Sequence, residues 1–240
     1  SASATNISHP LLEKREQIKH NLVLVITSNR GLCGGYNGSI IREAQARLRQ
    51  VQSEGATLHL ELSGKKAIAY FRFQRVPAER TYTHFEDKPR FDQVEELANR
   101  YVAEYVAGRL DRVEVTYMKF VNAARQMAVT ETLLPLSPTP ARQDRQAEPA
   151  GLTGPVEYEF LPDAQDILQE LLPVTFRVRL FKCFLDAAVS EQIARRVTMA
   201  AATENADEMI KMLTRQYNRA RQAQITKEIA ESIGAAPALQ

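Results

Sequence analysis

The sequence predicts an α/β protein in which a mostly parallel sheet flanked by helices is followed by one long C-terminal helix. Three observations support this fold class. Asn21-Leu-Val-Leu-Val-Ile-Thr27 is an aliphatic run that leads into a glycine-rich turn, as is typical of a strand buried on both faces. Strand-like and helix-like segments then alternate as far as about residue 136. Beyond Pro173 no proline or glycine occurs before Gly234, which predicts a helix much longer than usual.

The first half of the predicted domain continues as helix, strand and two more helices. Apolar side chains recur at helical intervals until Gly55 ends the pattern, namely Ile40, Ile41, Ala44, Leu48 and Val51. Ala56-Thr-Leu-His-Leu-Glu-Leu62 predicts the second strand. We expect helices over Gly64–Phe73 and Phe91–Val106, with irregular structure over Thr81–Pro89 between them.

The second half of the domain predicts a hairpin followed by a loop. Arg112–Phe120 and Gln126–Leu136 alternate in polarity around a short turn at Asn122, which places a hairpin at one side of the sheet. Residues 137–155 contain four prolines and two glycines, so we expect a loop there. Val156–Phe160 could add one edge strand. The predicted domains are a linker over 1–20, the α/β domain over 21–160 and the C-terminal helix over 161–240.

The C-terminal helix is predicted to begin near Pro162, because proline is favoured in a first helical turn. Pro173 is expected to kink or briefly interrupt it. Val174-Thr-Phe-Arg-Val-Arg-Leu180 alternates in polarity and, taken alone, fits a strand equally well. Its position inside a long segment without helix breakers favours helix.

An apolar seam follows the later part of this helix. Its members step by four and three residues, as in a coiled coil, and are Met199, Thr203, Ala206, Ile210, Leu213, Tyr217 and Ala220. Several of them are small, which allows a partner helix to approach closely. The pattern therefore predicts one strand of a coiled coil.

Composition excludes several classes of protein. The net charge of +2 is too small to indicate a nucleic-acid-binding protein, and no window approaches 18 consecutive apolar residues. Cys33 and Cys183 have no CxxC spacing, and the four histidines are scattered, so neither a metal site nor a disulfide framework is predicted. Ser1–Asn6 is small and polar and shows no export signal.

The glycine-rich turn allows a functional and a structural interpretation. It lies between a buried strand and a helix, where a phosphate-binding loop would lie, and its marked residues are Arg30, Gly31, Cys33, Gly34, Gly35 and Asn37. The glycine spacing does not match GxGxxG, and no Gly-Lys-Ser/Thr follows. A structural turn is therefore favoured over nucleotide binding. No histidine lies nearby in sequence to activate Cys33 as a nucleophile.

A basic stripe is the more informative feature of the C-terminal helix. Between residues 211 and 227 there are five basic residues and no acidic one: Lys211, Arg215, Arg219, Arg221 and Lys227. The first three are spaced by four, so they form a stripe, which we place beside the apolar seam. A solvated face and a docking surface for an acidic protein partner both fit this pattern. The acidic pairs Glu95-Glu96 and Asp207-Glu208 are typical of helix faces exposed to solvent. The apolar tail after Ile233 is either a frayed helix end or a tip held in an apolar collar of partner subunits.

Two segments together resemble the γ subunits of F-type ATP synthases. One is Thr27-Ser-Asn-Arg-Gly-Leu-Cys-Gly-Gly-Tyr-Asn37, which is similar to the signature after that family's first strand. The other lies in the last helix and has two parts, Ser190-Glu-Gln-Ile-Ala-Arg-Arg-Val-Thr-Met199 with its continuation to Ile210, and Tyr217-Asn-Arg-Ala-Arg-Gln-Ala-Gln-Ile-Thr-Lys-Glu-Ile229. The likeness spans about Pro10 to Leu239 and is weakest between Arg72 and Asp92 and in the proline-rich loop.

The resemblance implies a Rossmann-like foot domain and a helix that forms half of an antiparallel coiled coil, the shaft, inside a hexamer of catalytic subunits. It implies as partners the α and β subunits, an ε or δ-type stalk subunit and the membrane c-ring, with no nucleic acid, no cofactor and no nucleotide bound by the subunit itself. Arg221 and Gln222 match family positions that hydrogen-bond an acidic loop of a catalytic subunit, and the stripe with Arg215 and Arg219 suits that role.

The function that the resemblance implies is mechanical. Proton flow turns a membrane ring, the foot turns with it, and the asymmetric shaft favours a different conformation in each catalytic subunit during ATP synthesis or hydrolysis. The subunit is then a non-catalytic, peripheral part of a membrane complex on the cytoplasmic face of the bacterial plasma membrane, or alternatively on the matrix face of the mitochondrial inner membrane. We expect no thiol control, because no cysteine-bearing insert of the chloroplast kind is present.

One departure from the family pattern concerns the first strand. The family carries a long helix before it, whereas only Ser1–His20 precede it here. We therefore expect the isolated chain to expose the seam and to self-associate or fray beyond about Glu204. One rival interpretation is a dinucleotide-dependent enzyme, which the glycine spacing disfavours. The other is a general coiled-coil adaptor, which does not explain why both signatures occur in this order except by chance.

Overall fold

The computed structural model describes residues 9–13, 15, 17–85, 87–136 and 164–235, with side chains from residue 169 to residue 233 in the last range. In chain order its elements are β1 (His20–Ile26), α1 (Tyr36–Ser53), β2 (Thr57–Ser63), α2 (Lys65–Phe73), β3 (Arg80–Tyr82), α3 (Phe91–Val106), β4 (Arg112–Asn122), β5 (Arg125–Leu134) and α4 (Ala164–Ala235). The predicted loop over 137–155 and strand over 156–160 lie outside the described residues.

The sheet is mostly parallel with a hairpin at one side, as predicted. Its strand order is β3-β2-β1-β4-β5, in which β1 pairs in parallel with both β2 and β4, and β5 pairs antiparallel with β4. The expected irregular segment from Thr81 was partly wrong, because β3 pairs in parallel with β2 there. A strand of three residues is too short to show a period, and the backbone hydrogen bonds that define it are made only when β2 lies alongside.

Helices cover both faces of the sheet because the strand side chains alternate between two apolar clusters. Leu22, Leu24 and Ile26 of β1 pack with α3 and the first part of α4. Val23 and Val25 pack on the other face with α1 and α2. This arrangement explains why β1 is apolar along its whole length rather than at every second position.

The first part of α4 is helical and belongs to the core. Its buried side chains are spaced by three or four residues or adjacent, as on one side of a helix, and are Phe176, Leu180, Cys183, Phe184 and Ala187. The strand alternative for Val174–Leu180 is therefore wrong. An interruption at Pro173 is also wrong, since the helix continues through it. Packing of this apolar side on the sheet supports a helix that propensity alone would not.

Internal contacts divide the chain into two compact units, with the boundary between Ala194 and Arg195. The first unit contains the sheet and the packed part of α4. The second contains the rest of α4, in which every described side chain from Met199 to Ile233 is exposed. The predicted domain boundary between residues 160 and 161 lies outside the described residues and stays a prediction.

Asp111 ties the beginning of β1 to the beginning of β4, and its charge is expected to make stability depend on pH. Its carboxylate accepts hydrogen bonds from the backbone N–H groups of Lys19 and His20, both at 2.8 Å, and from Arg15 at 2.6 Å. Burial would raise the pKa of Asp111, but these bonds outweigh it and hold the pKa below the ordinary 3.8. A lowered native pKa contributes stability above the unfolded pKa, which is lost as the pH falls through the native one.

We therefore expect Asp111→Asn to lower the free energy of unfolding most at neutral pH. The difference from the unmodified chain should shrink as the pH falls below about 4. Urea unfolding at pH 7, 5 and 3.5 measures it. Asp92→Asn, at an exposed position on α3, is the control and should leave the difference small throughout. A difference for Asp111→Asn that is constant across this range would contradict the assignment.

Candidate functional site

The glycine-rich turn is closed by the side chain of Asn37. Its Oδ1 accepts from the backbone N–H of Ser28 at 3.0 Å, and its Nδ2 donates to Ser28 Oγ at 2.8 Å and to Cys33 Sγ at 3.1 Å. Two residues of the turn have a left-handed backbone, Leu32 with φ 63° and Gly34 with φ 55°. The turn is thus held in one conformation by bonds within itself, and Gly35 caps the following helix α1.

The first N–H groups of α2 are occupied by residues that follow β1. Lys65 N–H donates to Asn29 Oδ1 at 3.1 Å, Lys66 N–H to the Ser28 carbonyl at 3.2 Å and Ala67 N–H to Thr27 Oγ1 at 3.0 Å. A helix N-terminus binds a phosphate through such N–H groups. At α2 these donors already have protein acceptors.

The crevice at the carboxyl ends of β1 and β4 is where a doubly wound sheet would bind a dinucleotide, since the strand order reverses there. α4 lies against this crevice, since Ser190 donates a hydrogen bond to the Met118 carbonyl of β4 at 3.4 Å and Tyr36 donates one to the Ala187 carbonyl at 3.0 Å. Phe184 and Ala187 also line a cavity at the carboxyl ends of β1 and β2, which measures only about 30 Å³. Ligand pockets usually measure about 300–1,000 Å³, so α4 fills the space that a nucleotide would need.

The other residues of the turn that the sequence analysis named do not converge on one site. Arg30 forms an ion pair with Asp87 at the surface. Cys33 is 2% exposed, and Gly31 lies beside the Lys66 side chain. Burial raises the pKa of the second thiol, Cys183, to about 12, so it is not a thiolate at neutral pH. Among the described residues, no group of histidine, cysteine and carboxylate side chains could hold a metal ion.

The four predicted partner-binding residues lie on the exposed second unit. Arg215, Arg219, Arg221 and Gln222 are all exposed, and within the described part of the chain no ion pair involves the three arginines. Their arrangement corrects one expectation. At about 100° of rotation per residue, the stripe of Lys211, Arg215 and Arg219 is centred roughly opposite the apolar seam and not beside it.

The apolar seam itself is exposed in the described chain. Ile210 is 62% exposed, Leu213 52% and Tyr217 66%, although side chains of these types are usually buried. An apolar seam on one side and cations on the other give this helix two chemically distinct surfaces. Gln222 shares the side of Arg215, and Arg221 lies at the edge of the seam.

Comparison with known proteins identifies the family. The family model described as ATP synthase matches residues 1–239. The ATP synthase gamma chain of Rhodopirellula baltica is 48% identical over 98% of this chain and 79% of its own length. That of Leptospira biflexa is 39% identical over all of this chain and 80% of its own length. The chain belongs to the ATP synthase gamma chain family.

Solved structures of ATP synthases share the fold. A chain of the Euglena gracilis mitochondrial ATP synthase has a TM-score of 0.60 at 20% identity, covering 92% of this chain and 73% of its own. A chain of the Tetrahymena thermophila central stalk and c-ring has a TM-score of 0.54 at 19% identity, covering 79% of each. Like the other members of the gamma chain family, this chain is the rotor subunit in the central stalk of an F-type ATP synthase.

Membership explains the filled crevice and the long helix. As a gamma chain, the protein uses the Rossmann-like sheet to hold a turn and a helix, and sequence analysis missed the residues that make this attachment, Asn29 and Tyr36. Asn29 joins α2 to the segment after β3 by donating to the carbonyls of Thr83 and Phe85 at 3.1 and 3.0 Å. Both residues stand in the signature itself, but only the folded chain shows which carbonyls they reach. No helix in the described ranges is long and apolar enough to cross a bilayer.

Proposed function

We propose that this gamma chain is a non-catalytic rotor whose exposed helix is contacted by acidic surfaces of the α and β subunits. The observation that carries the proposal is the separation of two surfaces on α4: an exposed apolar seam, and an outward stripe that includes Arg215, Arg219 and Gln222. The seam suits a partner helix. The cations, with Arg221 at the edge of the seam, suit carboxylates of surrounding subunits.

Such contacts couple rotation to chemistry because the helix is chemically asymmetric. A catalytic subunit that faces the cations experiences a different contact free energy from one that faces other residues of the helix. That difference biases each subunit between its open and closed conformations. Coupling of this kind is reciprocal for binding, so nucleotide binding and release in the hexamer also bias the orientation of the helix.

The foot domain is proposed to bind the c-ring and an ε-type stalk subunit without binding a nucleotide itself. The filled crevice and the occupied N-terminus of α2 support the last point. Titration of the chain with NAD, ADP and ATP should give no saturable heat or shift in melting temperature. A dissociation constant in the micromolar range would instead favour a nucleotide-binding role.

The complex is proposed to lie on the cytoplasmic face of the bacterial plasma membrane, with the matrix face of the mitochondrial inner membrane as the alternative. Identity to the gamma chains of Rhodopirellula baltica and Leptospira biflexa is 48% and 39%, whereas it is 20% to the mitochondrial structure from Euglena gracilis. This difference favours the bacterial location.

Arg221→Glu in the reconstituted complex tests the proposed contact. Removing one partner of a desolvated guanidinium–carboxylate pair costs about 2–5 kcal/mol, largely because the other charge is left unpaired, so the reversal should reduce ATP-driven proton pumping by at least about tenfold. Arg221→Lys keeps the charge without the planar fork and should have an intermediate effect.

Arg125→Glu is the matched control for this experiment. Arg125 lies at the exposed end of the β4–β5 hairpin and its substitution changes the net charge equally. It should leave pumping within about twofold of the unmodified complex. Equal pumping by the Arg221→Glu and Arg125→Glu complexes would contradict the contact, while assembly of both complexes would leave the family role intact.

A further inference from the structure

Helix α2 presents an exposed face that its role in the core does not explain. Ala67 and Phe71 are buried against the sheet, at 0% and 1% exposure. The exposed positions recur at i, i+1, i+4, i+7 and i+8, which lie on one side of a helix, and they are Lys65, Lys66, Ala69, Arg72 and Phe73. α2 is therefore amphipathic, with cations and one aromatic ring on its outer side.

The positive charge of this side is not neutralised within the described chain. α2 contains no acidic residue, and none of the ion pairs between described residues involves Lys65, Lys66, Arg72 or Arg75, the cation that follows the helix. The two carboxylates nearest in sequence have other partners, since Glu61 is bonded to Arg100 at 2.7 Å and Glu79 contacts His59 at 2.6 Å. Four unpaired cations close together produce a positive local potential that attracts acidic groups.

Arg75 carries this charge in a strained backbone conformation. The end of α2 is closed by Val76 N–H donating to the Phe71 carbonyl at 3.0 Å and Arg75 N–H donating to the Arg72 carbonyl at 3.1 Å. This pattern places Arg75 at the position where helices favour glycine, and its φ is 57°. An arginine there is less stable than a glycine would be, so the cation stands at a position where it costs some stability.

Phe73, the last residue of α2, adds an apolar group between Arg72 and Arg75 in the chain. It is 82% exposed, more than any other large apolar side chain among the described residues. A single exposed aromatic ring is normal on a surface, but one that stands beside two unpaired arginines matches the composition of protein interfaces, which are enriched in arginine and aromatic residues.

We propose that this surface, the α2 cationic face formed by Lys65, Lys66, Arg72, Phe73 and Arg75, docks an acidic polypeptide segment of a partner subunit. Carboxylates of the segment pair with Arg72 and Arg75, whose planar forks bind them in two-point contacts. An apolar side chain of the segment packs on Phe73. This contact lies on the foot domain and goes beyond the proposed contacts of the C-terminal helix.

A polypeptide fits this face better than a membrane surface does. Stable membrane anchoring needs several inserted apolar side chains or a lipid chain in addition to cations, and the face offers one ring. Its cations form two groups at the two ends of a short rigid helix, and Lys66 and Arg72 are about 9 Å apart along its axis, because each residue rises by about 1.5 Å. Fixed spacing favours a folded acidic segment with carboxylates at matching positions.

A photo-reactive side chain at Ala69 in the assembled ATP synthase tests the proposal. p-Benzoylphenylalanine there should cross-link to one partner polypeptide, and mass spectrometry should place the link in a segment rich in aspartate and glutamate. The same group at Gln52, on the exposed side of α1, is the control for non-specific capture. Links to lipid, to a second copy of this chain or to a segment without acidic residues would overturn the proposal, as would a yield no higher than at Gln52.

Two substitutions separate docking from a structural role. Arg72→Glu with Arg75→Glu should reduce the Ala69 cross-link at least about fivefold, whereas Arg125→Glu should not. Arg75→Gly should raise the melting temperature of the isolated chain, because it removes the strain, and still weaken the cross-link. An unchanged yield in both α2 variants would overturn the proposal. These results do not depend on Arg221, so the proposal for the α2 cationic face and the proposed contacts of the C-terminal helix are tested separately.

Discussion

Gly64→Ala is expected to lower the free energy of unfolding by about 3 kcal/mol or more. Gly64 precedes α2 and has a φ of 97°, a conformation that L side chains rarely adopt. A Cβ at this position would lie 2.1 Å from the backbone carbonyl oxygen of Thr27. Because that oxygen belongs to the backbone that follows β1, the contact can be relieved only by moving the strand end away from α2.

The same movement would disturb the turn. Thr27 Oγ1 accepts from Ala67 N–H at 3.0 Å, so separating Thr27 from α2 breaks a buried bond next to the glycine-rich segment. Guanidinium unfolding of the full chain measures the loss. In the assembled complex the variant should also show a lower yield of folded gamma chain.

Gly38→Ala is the matched control for this change. Gly38 lies inside α1 and has no positive φ, and a methyl group added there would have no neighbouring atom within 4 Å. Alanine in a helix is more favourable than glycine by about 0.5–1 kcal/mol, so this variant should be more stable than the unmodified chain. Equal effects of the two substitutions would show that the close approach of Gly64 to Thr27 is not rigid.

Glu61→Ala is expected to lower the free energy of unfolding by about 3 kcal/mol. Glu61 lies in β2 and is 1% exposed, and its Oε2 accepts from Tyr101 at 2.6 Å, Arg100 at 2.7 Å and Tyr82 at 2.9 Å. Removing the carboxylate leaves the two phenols without their acceptor, and Arg100 keeps only the Tyr82 hydroxyl at 2.8 Å and Glu104 at 3.5 Å. Arg100 keeps a side-chain exposure of 22%, so water replaces part of the lost interaction, which places the effect at the lower end of the usual range.

The tyrosines provide a second measurement of this cluster. Burial, and after it the charge of Glu61, raises the pKa of both Tyr82 and Tyr101 above the ordinary 10. Without the negative charge of Glu61, the pKa of Tyr82 should fall toward its usual value. An ultraviolet titration between pH 9 and 12 should therefore show more ionised phenol in Glu61→Ala than in the unmodified chain, provided that both remain folded.

Glu79→Ala is the control for Glu61→Ala. Glu79 is the other carboxylate near β3, but it is 52% exposed and pairs with His59 at the surface. Exposed pairs contribute about 0–1 kcal/mol, so its removal should change stability little. A comparable loss in the two variants would mean that the three donors of Glu61 find other acceptors and that the cluster is not a source of stability.

Much of the fold could be predicted, because the spacing of apolar residues and the positions of glycine and proline can be read directly from the sequence. Helix α3 has the predicted bounds Phe91–Val106, and β1 and β2 each differ from prediction by one residue at either end. The parallel core and the hairpin at its side were both confirmed. β3 could not be predicted, since three residues carry no period and pair only with a strand already placed.

Of the two candidate binding surfaces, one could be predicted from the sequence and the other could not. The residue types and spacing of Arg215 and Arg219 predicted a basic stripe, and its position opposite the seam follows from helix geometry once the segment is known to be one continuous helix. The α2 cationic face could not be recognised from the sequence. Lys65, Arg72 and Arg75 form one unpaired surface only because the opposite side of α2 packs on the sheet.

By itself, the sequence determined the order of the longer strands and helices, the family and the unusual length of the helix beyond Pro173, because each depends on patterns between residues close in the chain. Tertiary structure alone decided that α4 fills the crevice of the sheet, that Glu61 has three donors and that Gly64 meets Thr27. Each of these contacts joins residues that are far apart in sequence, some by well over a hundred positions. Their energy depends on distances of a few ångströms, which no local pattern encodes.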